Sequence, residues 1–177
     1  IAIIGKDSGA TVIDPPGANS LAGLHGIYAD TQTGLRIQNI GVTGAKEGIT
    51  LVNVDLSTIT SDSASSCGDR GINAVNASGS NTFSFNRTDG NVYGIYLENS
   101  SNNTLNGNSA SLNTNDGIAL NLSANSNTVT GNAVSSNTGS GISVGTASNT
   151  ISGNTATLNA YGVSVTSGSG NTVSGNT

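Results

Sequence analysis

Asn127-Thr128-Val129-Thr130-Gly131-Asn132 recurs with small changes along the second half of the chain. The block reads NTFSFN at Asn81, NTLNGN at Asn103, NTVTGN at Asn127, NTISGN at Asn149 and NTVSGN at Asn171, at steps of 22, 24, 22 and 22 residues. A second motif keeps phase with it, as Gly94-Ile95-Tyr96-Leu97, Gly117-Ile118-Ala119-Leu120, Gly141-Ile142-Ser143-Val144 and Gly162-Val163-Ser164-Val165. A fixed period of about 20 to 25 residues marks a solenoid, in which each repeat is one coil and stacking of coils makes the core.

Upstream, Gly26-Ile27-Tyr28-Ala29, Gly48-Ile49-Thr50-Leu51 and Gly71-Ile72-Asn73-Ala74 extend the second series. The glycines at 26, 48, 71, 94, 117, 141 and 162 then stand 22, 23, 23, 23, 24 and 21 residues apart. One solenoid domain over residues 1–177 is predicted, with less regular coils over 1–80 and regular ones over 81–177. The opening runs Ile1–Ile4 and Thr11–Asp14 read as short strands, separated by a turn over 5–9 and ended by Asp14-Pro15-Pro16-Gly17.

The alternation inside a block is that of a strand, because successive side chains point to opposite faces. Val129 thus points inward and its flanking threonines outward. Phe83, Leu105, Val129, Ile151 and Val173 form one predicted inward stack; Ile72, Ile95, Ile118, Ile142 and Val163 form a second. Ala110-Leu112, Val134 and Ala156-Leu158 form the third. Three inward faces per coil describe a triangular prism: an all-β, single-stranded, right-handed parallel β-helix of about eight coils, each of 21 to 24 residues with three strands. Asparagine files at 81, 103, 127, 149, 171, at 86, 108, 132, 154, 176 and at 91, 113, 137, 159 are placed at the corners. There asparagine tolerates left-handed backbone and its amide can bond the next coil.

Composition narrows the function. Only 8% of residues are charged and 3% aromatic, yet the apolar positions are periodic, so disorder is excluded. A net charge of -5 disfavours nucleic acid. No apolar run is long enough for a membrane-spanning helix. The chain opens on Ile1 rather than Met, an expectation of processing or truncation upstream. Cys67 is the only cysteine and reads as a small, partly buried side chain.

These residues resemble right-handed parallel β-helices of the pectate-lyase-like superfamily, in particular the NosD-like type with repeats N-T-x-S-x-N followed by G-I-x-L. The resemblance covers Gly26 to Thr177, and Ile1–Gly5 with Ala10–Asp14 is similar to early coils of that family. It implies the fold and leaves polysaccharide lyases, hydrolases and epimerases, tailspikes, adhesins and periplasmic accessory proteins open.

For chemistry, one column gathers ionisable groups: His25, Glu47, Arg70, Tyr93 and Asp116, each just before a motif glycine, with Lys46 and Asp69 beside it. Such an edge can grip a sugar or uronate chain; the plainer expectation is a ladder of opposite charges at a solvated corner. Glu47 and Asp116 lie three coils apart, roughly 14 Å, beyond the separation of a glycosidase acid and base. Asp69, Asp89 and Asp116 fall at different phases, so no calcium site is expected. One histidine and no methionine leave copper without a ligand set. No metal or other cofactor is expected.

All five Lys and Arg lie at or before Arg87, and the 61 positions after Asp116 carry no charge. An uncharged, repetitive half is poorly protected against association. The leading expectation is therefore a non-enzymatic extracellular or cell-surface β-solenoid, structural or adhesive, stacking head to tail into a filament. Its alternatives are a polysaccharide-binding or polysaccharide-degrading β-helix and an ice-binding protein using the outward pairs Thr128/Thr130, Thr150/Ser152 and Thr172/Ser174. Partners are then further copies of the chain or an extracellular polysaccharide. Sequons at Asn76, Asn86, Asn99, Asn102 and Asn121 are candidate glycosylation sites.

Overall fold

The computed structural model describes residues 2–4, 12–13, 25–76 and 78–177. The predicted turns at 5–9 and 14–17 lie outside the described residues. Every strand pairing is parallel, and the chain winds as a right-handed parallel β-helix. Seven strands, from His25–Asp30 to Tyr161–Val165, form one sheet and mark about six full turns, slightly fewer than the eight coils expected. We call this the Gly-Ile sheet. A second sheet of eight strands, from Ala2–Ile4 through Thr128–Thr130 to Thr172–Ser174, is the Thr face. The third wall is two three-stranded sheets, bridged at Arg87 between Ser63 and Ser109.

Register aligns the inward residues as the period requires. Phe83 pairs with Leu105, Leu105 with Val129 and Val129 with Ile151 on the Thr face; Ile72, Ile95, Ile118 and Ile142 stack on the Gly-Ile sheet. These side chains are buried in one core cluster. Each coil buries only a few apolar side chains, so its stability depends on neighbours above and below.

The third stack needs correction. Ala110 and Val134 are buried, but Leu112 and Leu158 project into solvent. Strand alternation would place 110 and 112 on one side; instead the strand ends at Ser111 and the backbone turns left-handed at Leu112, with φ 58°.

The same geometry corrects the account of the asparagine files. The left-handed residue is the one before the ladder asparagine: Asn102, Ser126 and Ser148 precede Asn103, Asn127 and Asn149 with φ of 62°, 57° and 60°. That turn points the following asparagine inward. Asn108 is typical: its Oδ1 accepts the Asn86 backbone N–H at 3.0 Å, and its Nδ2 donates to the Phe83 carbonyl at 2.9 Å. The ladders satisfy the corner backbone groups, which have no strand partner and would otherwise be buried unpaired.

The motif glycine is also explained. A Cβ on Gly94 would stand 2.5 Å from the Gly117 carbonyl oxygen and 2.9 Å from Ala110 Cβ. Only glycine lets successive coils approach this closely where the chain bends into the Gly-Ile sheet.

Candidate functional site

On the outward side of the Gly-Ile sheet, the register sets His25 beside Glu47 and Arg70 beside Tyr93. A second outward column follows three residues later in each strand: Tyr28, Thr50, Asn73 and Tyr96, with Tyr28 paired to Thr50 and Asn73 to Tyr96. Sequence reasoning named only the first column. The second was legible as the x of Gly-Ile-x, had its outward phase been weighed with that of the residue before the glycine.

Glu47 is the centre. It is 7% exposed, which removes the solvated-corner reading for this residue. Thr50 Oγ1 and Asn73 Nδ2 donate to its Oε2 at 2.8 and 3.0 Å, and Arg70 Nη1 donates to its Oε1 at 2.8 Å. His25 Nδ1 lies 3.2 Å from Oε2 and 2.9 Å from Thr50 Oγ1. Since the Thr50 hydroxyl gives its proton to Glu47, it accepts from His25 Nδ1–H. Burial works against the Glu47 charge, but the hydrogen bonds from Thr50 and Asn73 and the positive charge of Arg70 outweigh it and hold the carboxyl below its ordinary range.

Arg70 also approaches Asp69 at 3.5 Å, and its guanidinium lies 4.2 Å above the Tyr96 ring. Burial alone would lower its pKa, yet Asp69 and Glu47 raise it. Two atoms stay unanswered: Arg70 Nε and Asn73 Oδ1 are buried without a hydrogen-bond partner. Three tyrosines complete the face. Tyr28 is half exposed and packs on His25 with ring centroids 4.9 Å apart; Tyr93 and Tyr96 meet edge-on at 5.0 Å.

Asp116 and Lys46 stand apart from the Glu47 hydrogen bonds, and Tyr93 borders both Asp116 and the cluster. Asp116 is tied to the next coil through the Ser140 backbone N–H at 2.7 Å, and burial raises its pKa. Lys46 forms no ion pair among the described residues. Burial and the nearby Asp116 raise the Tyr93 hydroxyl, which accepts from Asn115 at 2.7 Å. Cys67 is buried, and burial pushes its thiol up to about 11. No group of three His, Cys, Asp or Glu with metal-site geometry occurs among the described residues.

On the Thr face, Thr128, Thr130, Thr150, Ser152, Thr172 and Ser174 fall in two files, as their register pairs them. Of the sequons, Asn76 and Asn102 are exposed, and Asn99 and Asn121 are half-buried. Asn86 is corrected as a glycan acceptor: it is a buried ladder rung whose Nδ2 donates to Ile59 and Asn108 at 2.9 and 3.1 Å.

Solved structures share this architecture. The periplasmic alginate epimerase AlgG superposes with a TM-score of 0.75 at 16% identity, over 86% of this chain and 47% of its own. The alginate lyase from Paenibacillus sp. str. FPU-7 gives 0.68 at 16% identity, over 99% of this chain and 81% of its own. DFA-IIIase from Arthrobacter chlorophenolicus A6 gives 0.64 at 15% identity, over 98% of this chain and 54% of its own. The chain thus spans about half the length of AlgG and DFA-IIIase. At these identities the likeness is one of fold. No curated protein sequence matches the chain significantly. The family model of NosD, the periplasmic copper-binding protein, matches residues 9–177, and with the NosD-like repeats threaded into this β-helix the chain belongs to that family.

Proposed function

We propose that the chain binds a polysaccharide along the outward side of the Gly-Ile sheet, across the coils from His25 to Asp116. The observation that carries this reading is the pre-organised Glu47 network flanked by the rings of Tyr28, Tyr93 and Tyr96. Tyrosine rings offer rigid apolar faces with a polar tip, suited to the alternating apolar and hydroxylated faces of sugars. Coils rise about 4.8 Å each, so the face presents a run of roughly 14 Å from Glu47 to Asp116, the reach of a short oligosaccharide. The fold shared with an alginate epimerase, an alginate lyase and DFA-IIIase supports this carbohydrate reading over the structural filament, for which the comparisons offer no support. The periplasmic setting of AlgG and of the NosD family description supports an extracytoplasmic place of action.

The reading is one of binding rather than hydrolysis. Glu47 accepts three hydrogen bonds and faces His25, so it has no free proton-transfer role, and Asp116 lies coils away. The copper in the family's description does not fit these residues. His25 uses Nδ1 within the Glu47 network, Cys67 is a buried thiol with a raised pKa, and the sequence has no methionine.

Affinity electrophoresis through gels containing neutral or acidic polysaccharides tests the proposal. Retardation by at least one glycan is expected, with Arg70→Met weakening it about tenfold or more as the central anchor is lost. Retardation unchanged in Arg70→Met and Glu47→Gln would remove the site.

A second reading rests on the Thr face. Thr58, Thr82, Thr104, Thr128, Thr150 and Thr172 stand in one outward file over successive coils, an uncharged and regular array that supports ice binding. Asn106 and the serines at 84, 152 and 174 interrupt the second file. Thermal hysteresis that disappears in Thr128→Leu/Thr150→Leu is its test; absence of hysteresis in the parent removes it.

A further inference from the structure

Resting on the glycan-binding reading above, we infer that the sugar held at Arg70 and Asn73 presents a hydroxyl there and carries no carboxylate, so the ligand is a neutral glycan rather than a polyuronate. The inference rests on two separate observations.

The first is the pair of unanswered groups. Arg70 Nε is a buried donor without an acceptor, and Asn73 Oδ1 is a buried acceptor without a donor. They belong to the same strand, Arg70–Val75, and both side chains bond Glu47. A hydroxyl is the group that answers both, since it accepts one hydrogen bond and donates another. A carboxylate answers the guanidinium only, and sets its lone pairs against Asn73 Oδ1. A site built to pair a hydroxyl rejects a group that leaves a buried polar atom unpaired. Asn73 is 3% exposed and stands in register with Tyr96, over whose ring the Arg70 guanidinium lies.

The second observation is charge. Asp30, Glu47, Asp69, Glu98 and Asp116 lie on or beside the Gly-Ile sheet, five of the chain's ten acids, against Lys46 and Arg70. Arg70 is already paired with Glu47 at 2.8 Å and approached by Asp69 at 3.5 Å. A polyuronate brings one negative charge per sugar onto this face and meets net repulsion along its length.

The experiment is isothermal titration of the intact chain with neutral oligosaccharides (oligomers of glucose, mannose and galactose) and with oligouronates of equal length (mannuronate, guluronate and galacturonate), each at low and at physiological salt. At least one neutral oligomer is expected to bind, with an affinity that changes less than twofold with salt. Every oligouronate should bind at least tenfold more weakly. Asn73→Ala should lower the neutral affinity about tenfold while leaving the residual uronate affinity equal or higher; a variant that merely misfolds lowers both. An oligouronate that binds more tightly than every neutral oligomer, with affinity rising as salt falls, overturns the inference and leaves the glycan site standing. No binding to any member of the panel overturns the glycan reading and this inference together.

Discussion

Two coils of one solenoid solve the same problem differently. In the coil from Asn103 to Asn113 the three corner rungs are Asn103, Asn108 and Asn113, each accepting a backbone N–H from the coil before and donating an amide hydrogen to a carbonyl. In the coil from Glu47 to Asp69 the equivalent rungs are Ser57, Asp62 and Cys67. Ser57 and Asp62 still accept, from Leu35 and Ile40 N–H, both at 2.8 Å. One coil earlier the corresponding positions are apolar: Leu35, Ile40 and Ala45. A corner rung must both accept and donate to leave nothing buried unpaired, and asparagine does both with one short side chain. The regular coils obey that rule throughout. The coil whose rungs include Asp62 and Cys67 departs from it and also carries Glu47, the centre of the candidate site.

The sharpest way to break the comparison is to remove a regular rung. Asn108→Ala leaves the Asn86 backbone N–H and the Phe83 carbonyl without their side-chain partner and opens a small cavity. A loss of about 4 kcal/mol is expected from the unpaired groups together with the cavity. Urea unfolding of the variant beside the parent measures it, and a loss below about 1 kcal/mol would show that the ladder is dispensable.

Repairing the irregular rung works in the opposite direction. Asp62 is 2% exposed and its Oδ2 has no partner. In the neighbouring rung, Asn86 donates from the corresponding atom to Ile59, which the register pairs with Ile37. The carboxylate therefore sets an acceptor where the ladder needs a donor, and only the protonated acid restores it. Burial raises its pKa to about 6 against the Ile40 N–H, which favours the charged form. Arg36 and Arg87 do not relieve it, being paired with Gln38 and Asp89. With the folded pKa above the unfolded value of 3.8, the stability contributed by the bound proton is complete below about pH 4 and is lost as pH rises to about 6. Asp62→Asn should match the parent at pH 3.5 and exceed it by up to about 3 kcal/mol at pH 7. Thermal melts of both across that window check the sign; a difference independent of pH removes the proton from the rung.

The smallest effect tests the corners. Leu158 is 85% exposed with φ 58°, so its side chain contributes little while its backbone is strained. Leu158→Gly should gain about 1 kcal/mol by relieving the left-handed penalty. An unchanged urea midpoint would mean that the extra freedom of glycine in the unfolded chain offsets the relief.

Much of the fold was legible because a stacked coil repeats its own geometry. Gly94 and its equivalents announce the bend, Val129 and its equivalents announce the core, and the asparagine files announce the corners. In the candidate site the ionisable residues of the first column stand out by charge, while the second column shows only as the variable place of the Gly-Ile motif. The Glu47 partners Thr50 and Asn73 occupy that variable third place: Thr50 reaches Glu47 within the strand Glu47–Val52, whereas Asn73 does so only because parallel register sets the strand Arg70–Val75 beside it. Leu112 and Leu158 misled for a related reason: alternation predicts burial only while the strand lasts.

By itself the sequence determined the period, the parallel stacking and the three-sided core, since those follow from local alternation repeated at a fixed interval. Tertiary structure decided which polar residues are interior. Cys67 and Asp62 are ladder rungs, and Glu47 is a buried acceptor rather than a solvated charge, because stacking removes water from whatever faces the next coil. A titratable group so placed must find a partner on that coil or keep a proton, and a single coil's sequence does not say which.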